Sequence, residues 1–518
     1  MIRTLILILC FLLSACFMVG PDYKEPKKNV AEHWLKNDPT IKQAPVRNAN
    51  WWKVFHDPTL TSLIQQGYQN NLTIQIAAAN VLQARAQLAQ SVGELYPQKQ
   101  VLLGDLTYNR IGGGSLQGLL PSNFYTDTLG GSASWELDFW GKYRRAIRAN
   151  DATFLASFAG YDNALVSLTS DIATSYIDIR TTEKLIQITK RNIQVQAMGL
   201  QIAKARYGAG QTSLLDVQQA QTEYSQTQAR IPQLLSTLQQ QKDALGVLLG
   251  TTPDKVDALL KINHGIPHAP TSVAVGIPIE TLVKRPDIYQ ARMEAVAQSE
   301  AIGATKAELY PAFTLAGTFA FTSNTIGGSS LDNIFRWSNR TITAGPSFNW
   351  PILNYGQITN AVRAQDAAFQ QSLLNYQNLV LKAQQEVQDH ITQFVESKRA
   401  ERYLTTANSS AIKSTQLALI RYKEGEADFT PVLDAERQQL QVQTALTNTQ
   451  GDIPKALVAL YRSLGGGWQI RNCNDIVPLE MKAQMAARTN WGSLLKQENH
   501  QPPATKGQQT KQLYLPNW

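Results

Sequence analysis

Four short motifs occur twice in this chain of 518 residues, each time in the same order. Glu94-Leu95-Tyr96-Pro97 returns as Glu308-Leu309-Tyr310-Pro311, and Arg206-Tyr207, followed by Gly208, returns as Arg421-Tyr422, followed by Gly425. Leu215-Asp216 returns as Leu433-Asp434, and Ile231-Pro232 as Ile453-Pro454. The spacing is far beyond the ~20–50 residues of a solenoid unit, so a domain-sized half has been duplicated. Whatever elements the first half forms, the second must form again, and the two must pack as near-equivalents.

Each half opens with Ala/Gln-rich helical sequence (residues 72–92 and 280–309) that closes on a Tyr-Pro. Pro97 and Pro311 stop these helices, because the residue before proline disfavours the α region. Alternation follows. Phe313, Leu315, Gly317, Phe319 and Phe321 interleave with Thr314, Ala316, Thr318 and Ala320, and the same period of two runs through 129–139 and 342–350. Residues 98–110 form a less regular fourth strand. Such a period marks strands with one wet face. At ~11 residues they are long enough to cross a bilayer when tilted, with Trp135, Trp140 and Trp350 suited to an interfacial girdle. Alternation alone fits the edge of a soluble β-sandwich equally well. The Gly/Ser-rich loops at 111–122 and 325–330, with the N-terminal signal described below, favour a membrane barrel.

A long helix follows each strand pair. Phe158, Leu165, Ile172, Ile179, Ile186, Ile193 and Leu200 fall seven apart, and Leu373, Val380, Val387 and Phe394 repeat the pattern. A sustained seven-residue period means supercoiled helices meeting along narrow seams. From 141 to 207 such a helix runs about 100 Å. Gln, Thr, Ser, Ala and Asn fill the space between seams, which suits a helix with neighbours beside it and water on both its inner and outer faces. Ala209-Gly210 and Glu424-Gly425 break the helices into hairpins, with Thr212 or Ser213 and Asp428 or Thr430 as caps of the returning helices. Pro232 and Pro454 predict a bend at matched places in those helices.

The N-terminus is an export signal: Arg3, then an apolar run over 5–13 too short to span a bilayer. Leu13-Ser14-Ala15-Cys16 resembles the bacterial lipobox, in which cleavage leaves a lipidated cysteine, here Cys16. Residue 17 is Phe rather than Asp, so the inner-membrane retention signal is absent. Each acyl chain adds ~0.8 kcal/mol per buried CH₂, so a multiply acylated Cys16 is a firm anchor. With Cys10 removed and Cys16 blocked, Cys473 is the only thiol left, and the mature chain can form no internal disulfide.

What the sequence lacks narrows the function. Charged residues are 17%, too few for an intrinsically disordered chain. No mature segment approaches ~18 apolar residues, which excludes a helical membrane protein. The net charge is +8, yet no run of five Lys/Arg occurs, so nucleic acid is not an expected partner. Histidines 33, 56, 264, 268, 390 and 500 show no zinc spacing, and the six methionines are scattered. Neither Gly112-Gly113-Gly114 nor Gly465-Gly466-Gly467 continues as a P-loop, and no G-x-S-x-G occurs. No catalytic set is visible. No metal and no cofactor is expected beyond the lipid on Cys16.

Three further motifs complete the reading: Val19-Gly20-Pro21-Asp22-Tyr23 after Cys16, Trp51-Trp52-Lys53-Val54-Phe55 with Asp57-Pro58-Thr59-Leu60, and the Gly-Gly-Gly-Trp ending at Trp468. With the duplication they resemble the TolC-like outer-membrane factors of tripartite efflux systems, specifically NodT-type outer-membrane efflux lipoproteins. The resemblance runs from Cys16 to about Trp468. It implies a homotrimer whose twelve-stranded membrane β-barrel, four strands per chain, continues into a long periplasmic α-helical barrel. On this plan the chain divides into a signal peptide (1–15), lipid anchor and N-terminal helical segment (16–96), first strand pair (97–140), first hairpin (141–250), equatorial segment and helix (251–310), second strand pair (311–353), second hairpin (354–466) and tail (467–518). The tail has no assigned role, and 497–512 has the composition of disorder.

The implied function is an outer-membrane channel, not an enzyme, passively conducting drug-like molecules from an inner-membrane pump through a periplasmic adapter. The alternatives are a type I protein secretion conduit and a lipid-anchored helical scaffold without a pore. The resemblance places adapter docking at the hairpin turns, at Tyr207, Gly208, Gly210, Leu215 and Gly425. Val432-Leu433-Asp434-Ala435 is similar to the family's tip motif, which makes Asp434 the gate carboxylate, Arg421 the latch that pairs with a neighbouring helix, and Tyr422 its companion. Phe429, Thr430 and Pro431 stand where the family often has a second acidic or a bulky apolar residue, so a double acidic ring is not expected. Asp216, the match of Asp434 in the first half, is expected only to answer its helix dipole.

Overall fold

The computed structural model describes residues 17–27, 30, 31, 33, 34, 38–42, 49–112, 121–276, 278, 282, 284–326, 330–472 and 474–496. The signal peptide, Cys16, Cys473, Gly113, Gly114, Glu280 and the segment 497–512 lie outside the described residues.

The Tyr-Pro motifs do the same work twice. Helix α1 (Pro58–Asn70) leads into α2 (Leu72–Gly93), which stops just before the first motif, and strand β2 (Lys99–Arg110) begins just after it. In the second half, α6 (Pro286–Ala307) gives way to β5 (Ala312–Asn324) in the same manner. The helix that leads into the second motif starts at Pro286, where the missing proline N–H costs nothing at a first helical position; the expected start at 280 lies outside the described residues. Strand β3 (Asn123–Leu137) returns from β2, and β6 (Arg340–Asn349) returns from β5. The β5–β6 connection is longer than the Gly/Ser stretch alone, because 3₁₀ turns at Leu331–Asn333 and Trp337–Asn339 extend it to Arg340.

The carbonyls freed at the helix ends are claimed by matched tryptophans. Trp135 Nε1 donates to Leu95 O at 3.1 Å, and Trp350 Nε1 donates to Leu309 O at 3.0 Å. Trp140 Nε1 donates to Pro311 O at 2.8 Å and its ring stacks on Tyr310 at 4.8 Å. These bonds lock the helix-side end of the sheet, so the strand pairs enter at a fixed angle.

The two strand pairs make one antiparallel sheet in the order β2-β3-β5-β6. Residues opposite each other across antiparallel strands share a face. One face carries the rows Leu102–Gly131–Phe319–Ile342, Trp135–Leu315–Pro346 and Leu137–Phe313–Phe348. The other carries Val101–Ser132–Thr318–Thr343 and Glu136–Thr314–Ser347. Register thus joins four separate alternations into one apolar face and one largely polar face. Aromatic residues bracket the apolar face at both ends: Trp135, Phe313 and Phe348 on the helix side, and Tyr108, Tyr125 (rings 5.2 Å apart) and Phe321 on the far side.

From the sheet the chain runs into α3 (Lys142–Gly208) and α7 (Gln357–Glu424), both entered through a glycine in the left-handed region, Gly141 and Gly356. Their returns are α4 (Leu214–Leu248) and α8 (Thr430–Ser463), which continue past Pro232 and Pro454 as single helices. Leu165, Ile172 and Ile179 are fully buried along the α3 seam, while Ile193 is only half-buried. Burying each such side chain contributes about 1.5–3 kcal/mol. The caps differ in part from expectation. Ser213 caps α4, but α8 starts from Phe429 rather than Asp428 or Thr430, and neither cap makes a side-chain bond. Phe429 is chosen by burial, not by capping chemistry: its ring is 1% exposed.

The core lies at mid-length. The 3₁₀ helix Trp51–Phe55 inserts Trp51, stacked on Tyr461 at 5.5 Å, and Asp57 caps α1 while accepting a bond from Tyr176 Oη at 2.8 Å. Gly467 (φ +106) lies against Thr169 and the Trp51 indole, so the Gly-Gly-Gly-Trp and Trp-Trp motifs close one cluster. A small parallel sheet pairs β1 (Ile41–Lys42) with β4 (Val273–Ala274), with α5 (Pro253–Leu259) nearby in sequence. Beyond Gly467 the described residues hold two more short helical elements. A 3₁₀ turn (Trp468–Arg471) buries Arg471 against Asp162, with bonds of 2.8 and 3.2 Å, before α9 (Leu479–Arg488).

Candidate functional site at the hairpin tips and the membrane end

Both long helices end in the same turn. Gln211 N donates to Arg206 O and Glu426 N to Arg421 O, each at 2.9 Å, around left-handed Gly210 and Gly425. This is the Schellman pattern, which needs a residue without Cβ strain at that point. Gly425 is therefore the counterpart of Gly210. Gly208, which the motif match aligned with it, is an ordinary last helical residue with open space around it.

The two tips are nonetheless unlike. Tyr422 is 1% exposed, packed edge-on against Phe429 at 5.1 Å, while Tyr207 is 46% exposed. Leu433 is buried, and Leu214 and Leu215 stand in solvent. Arg206 reaches across from the first hairpin to the second: it donates to Tyr422 O and lies 4.7 Å from the centre of the Tyr422 ring. Tyr422 Oη donates to Asp216 Oδ2 at 3.3 Å, and Thr212 donates to the same oxygen. Asp216 thus joins the hairpins as well as standing in the first turn of its helix. Arg421 pairs within its own turn, with Glu426 at 3.7 Å, and both side chains are exposed. Asp434 is exposed and has no polar partner among the described residues. The structure thus brings Tyr422 and Asp216 together and leaves Asp434 and Arg421 on the outside of this cluster.

Sequence reasoning missed Arg206 as a bridge, and it missed Glu436. Glu436 is 3% exposed in the row Val432, Leu433, Glu436, Leu440, and its Oε1 has no hydrogen-bond partner. A glutamate on the apolar stripe of a helix is the signal that could have found it. Nearby Glu223, also buried, is paired with Arg437 at 2.8 Å. Burial first, and Glu223 second, push the Glu436 carboxyl up to about 7. The folded chain therefore holds a proton that the unfolded chain, near 4.5, has lost, so stability falls as pH rises from about 4.5 to about 7 and then levels off. Glu436→Gln is expected to abolish that slope and to stabilise by up to about 3 kcal/mol above pH 7. Denaturation at pH 5 and pH 8 reads this, and an equal gain at both would exclude it.

At the sheet end of the long helices, the residues after Cys16 are clamped to the foot of the sheet. Val19 N donates to Trp140 O at 3.0 Å, and Gly20 (φ +102) sits where a Cβ would fall 2.4 Å from Gly303 Cα. Buried Arg145 holds Asp22 at 3.0 Å and Glu300 at 2.7 Å. These contacts explain the Val-Gly-Pro-Asp motif and bring Cys16 within three residues of the point where the strands meet the helices. Among the described residues no group of His, Cys, Asp and Glu could hold a metal ion, and no helix is long and apolar enough to cross a membrane.

A family model described as outer membrane efflux protein matches residues 63–251 and 277–466, one segment in each duplicated half. The chain belongs to the outer membrane efflux protein family. As an outer membrane efflux protein it serves an efflux system at the outer membrane. It is similar to the probable outer membrane lipoprotein SilC of Salmonella typhimurium, at 27% identity over 88% of this chain and 97% of that protein. The toluene efflux pump outer membrane protein TtgC of Pseudomonas putida is 28% identical over 88% of this chain and 94% of its own length. In solved structure, the outer-membrane channel OprN superposes with a TM-score of 0.79 at 29% identity, over 87% of this chain and 99% of that one. All three are named for the outer membrane and two for efflux or a channel, none for catalysis.

Proposed function

We propose that three copies of this outer membrane efflux protein close a twelve-stranded β-barrel over a continuous α-helical tube. Through it, drug-like small molecules pass passively, delivered by an inner-membrane pump through a periplasmic adapter. The observation that carries this reading is the sheet: an apolar face between two aromatic rims, with β2 and β6 left as open edges. Four strands cannot close on themselves around a lumen, whereas twelve can. A scaffold without a pore leaves this face and both edges unexplained. The name of the toluene efflux relative supports small apolar cargo over secreted protein. The lipobox and the clamp on Val19 support a lipid on Cys16, anchoring the barrel foot in the periplasmic leaflet.

In this reading exposed Asp434 supplies three carboxylates near the axis of the tip, and Arg421 and Tyr422 belong to the closed state. Tyr207, Gly208, Gly210, Leu215 and Gly425 form the surface that meets the adapter. Native mass spectrometry in detergent is expected to find a trimer, and planar bilayers to find a cation-preferring pore. Asp434→Ala should cut that preference severalfold. A stable conducting monomer would defeat the assembly, and unchanged selectivity in Asp434→Ala would place the constriction elsewhere.

A further inference from the structure

The strand register places two arginines on the apolar face, both at the rim far from the helices. Arg340, the first residue of β6, lies opposite Phe321 and so shares a face with Leu129 and Phe319. Arg110, the last residue of β2, lies on the same face as Leu102, Leu106 and Tyr108. Both are exposed, and Arg110 has no polar partner among the described residues. Arg340 donates to Trp337 O at 2.6 Å and lies 4.5 Å from the Trp337 ring centre, and that ring packs against Phe319 and Phe321. Asp127, on this face but two strands in from Arg340, has Oδ1 buried.

We infer that Arg340, with Arg110 of the partner subunit, binds the phosphates of a phosphorylated glycolipid in the outer leaflet. The inference rests on the trimeric barrel proposed above. Closure of that barrel joins the β6 edge of one copy to the β2 edge of the next. The two residues end their strands at the same rim, so symmetric closure sets them side by side. Orientation follows from the other rim, where Val19, three residues after Cys16, is bonded to Trp140 O. A lipid on Cys16 enters the periplasmic leaflet there, so the arginine rim meets the opposite one.

Depth decides the rest. An arginine facing lipid is costly at mid-bilayer and nearly free at the interface, so these two belong at headgroup level, where the aromatic ring of Trp337 also settles. Guanidinium groups present planar forks that match phosphate oxygens bidentately. Trp337 holds the Arg340 fork in place and takes only part of its donor set.

The test is native mass spectrometry of the full-length trimer with bisphosphorylated lipid A, with phosphate-stripped lipid A and with phosphatidylglycerol. Wild-type trimer is expected to retain the bisphosphorylated lipid at least tenfold more than either control. Arg110→Gln/Arg340→Gln should lose that excess while keeping trimer and conductance, and Arg340→Lys should keep part of it. Retention unaffected by the double substitution, or by stripping the phosphates, overturns the inference, and so does equal retention of phosphatidylglycerol. If the wild-type chain forms no trimer, the barrel reading fails and this inference with it; a conducting trimer without phosphate-dependent retention fails the inference alone.

Discussion

Arg206→Ala combined with Tyr422→Phe is expected to raise the open population of the channel by roughly tenfold to a hundredfold. In the gate proposed above, the contact that holds the two hairpins together is small: one guanidinium on the Tyr422 carbonyl and ring, and one phenol on Asp216. A hydrogen bond to a charged group contributes about 1.5–3 kcal/mol and a cation–π contact about 0.5–1 at an exposed site, and neighbours of this kind do not add fully. A net loss of about 1.4–2.8 kcal/mol gives the stated range. Arg421→Ala should do less, because its ion pair with Glu426 has both side chains more than 60% exposed. Single-channel recording measures the outcome. Wild-type conductance in the double variant would mean that the tip is held by contacts between chains instead.

The second large effect concerns folding. Arg471→Ala is expected to destabilise the chain by about 3–5 kcal/mol, the usual result of breaking a buried ion pair from one side. Asp162 and Arg471 are both nearly excluded from water, and burial already pushes the Asp162 carboxyl up to about 6 against its partner's pull. Arg471 also lies over Phe158 and Trp468, so its loss opens packing as well as charge. Asp162→Asn/Arg471→Met should recover most of the loss, since a matched apolar replacement leaves no buried charge alone. Thermal unfolding in detergent compares the three. A single variant within about 1 kcal/mol of wild type would show that this segment only decorates the core.

Periodicity made the architecture legible because strands and supercoiled helices write their spacing into every turn. The seven-residue ladder from Phe158 to Leu200 and the alternation from Phe313 to Phe321 each lie within one element, as found. Matters between elements were hidden. Arg206 and Arg421 hold matched places in the repeat, and the resemblance pointed to Arg421 as the latch. Only packing shows that Tyr422 turns inward and Tyr207 outward, so that Arg206 finds a ring and a carbonyl where Arg421 finds only Glu426. The alignment of Gly208 with Gly425 failed for a related reason: a letter match cannot tell a last helical residue from the left-handed one that follows it. Arg471 was invisible because its partner Asp162 is remote in the chain.

The direction of the strands has its own consequence for assembly. β2 and β5 run away from the helices and β3 and β6 run back, so the two open edges of each chain point in opposite senses. Chains anchored with the same side up can meet β6 to β2 antiparallel, but β2 to β2 or β6 to β6 only parallel. The antiparallel ladder is the slightly stronger one, and exposed edges pair with whatever fits. In the barrel proposed above, a common orientation in the bilayer would therefore act as a proofreading rule: it makes head-to-tail growth the favoured encounter and leaves closure of the ring to end it.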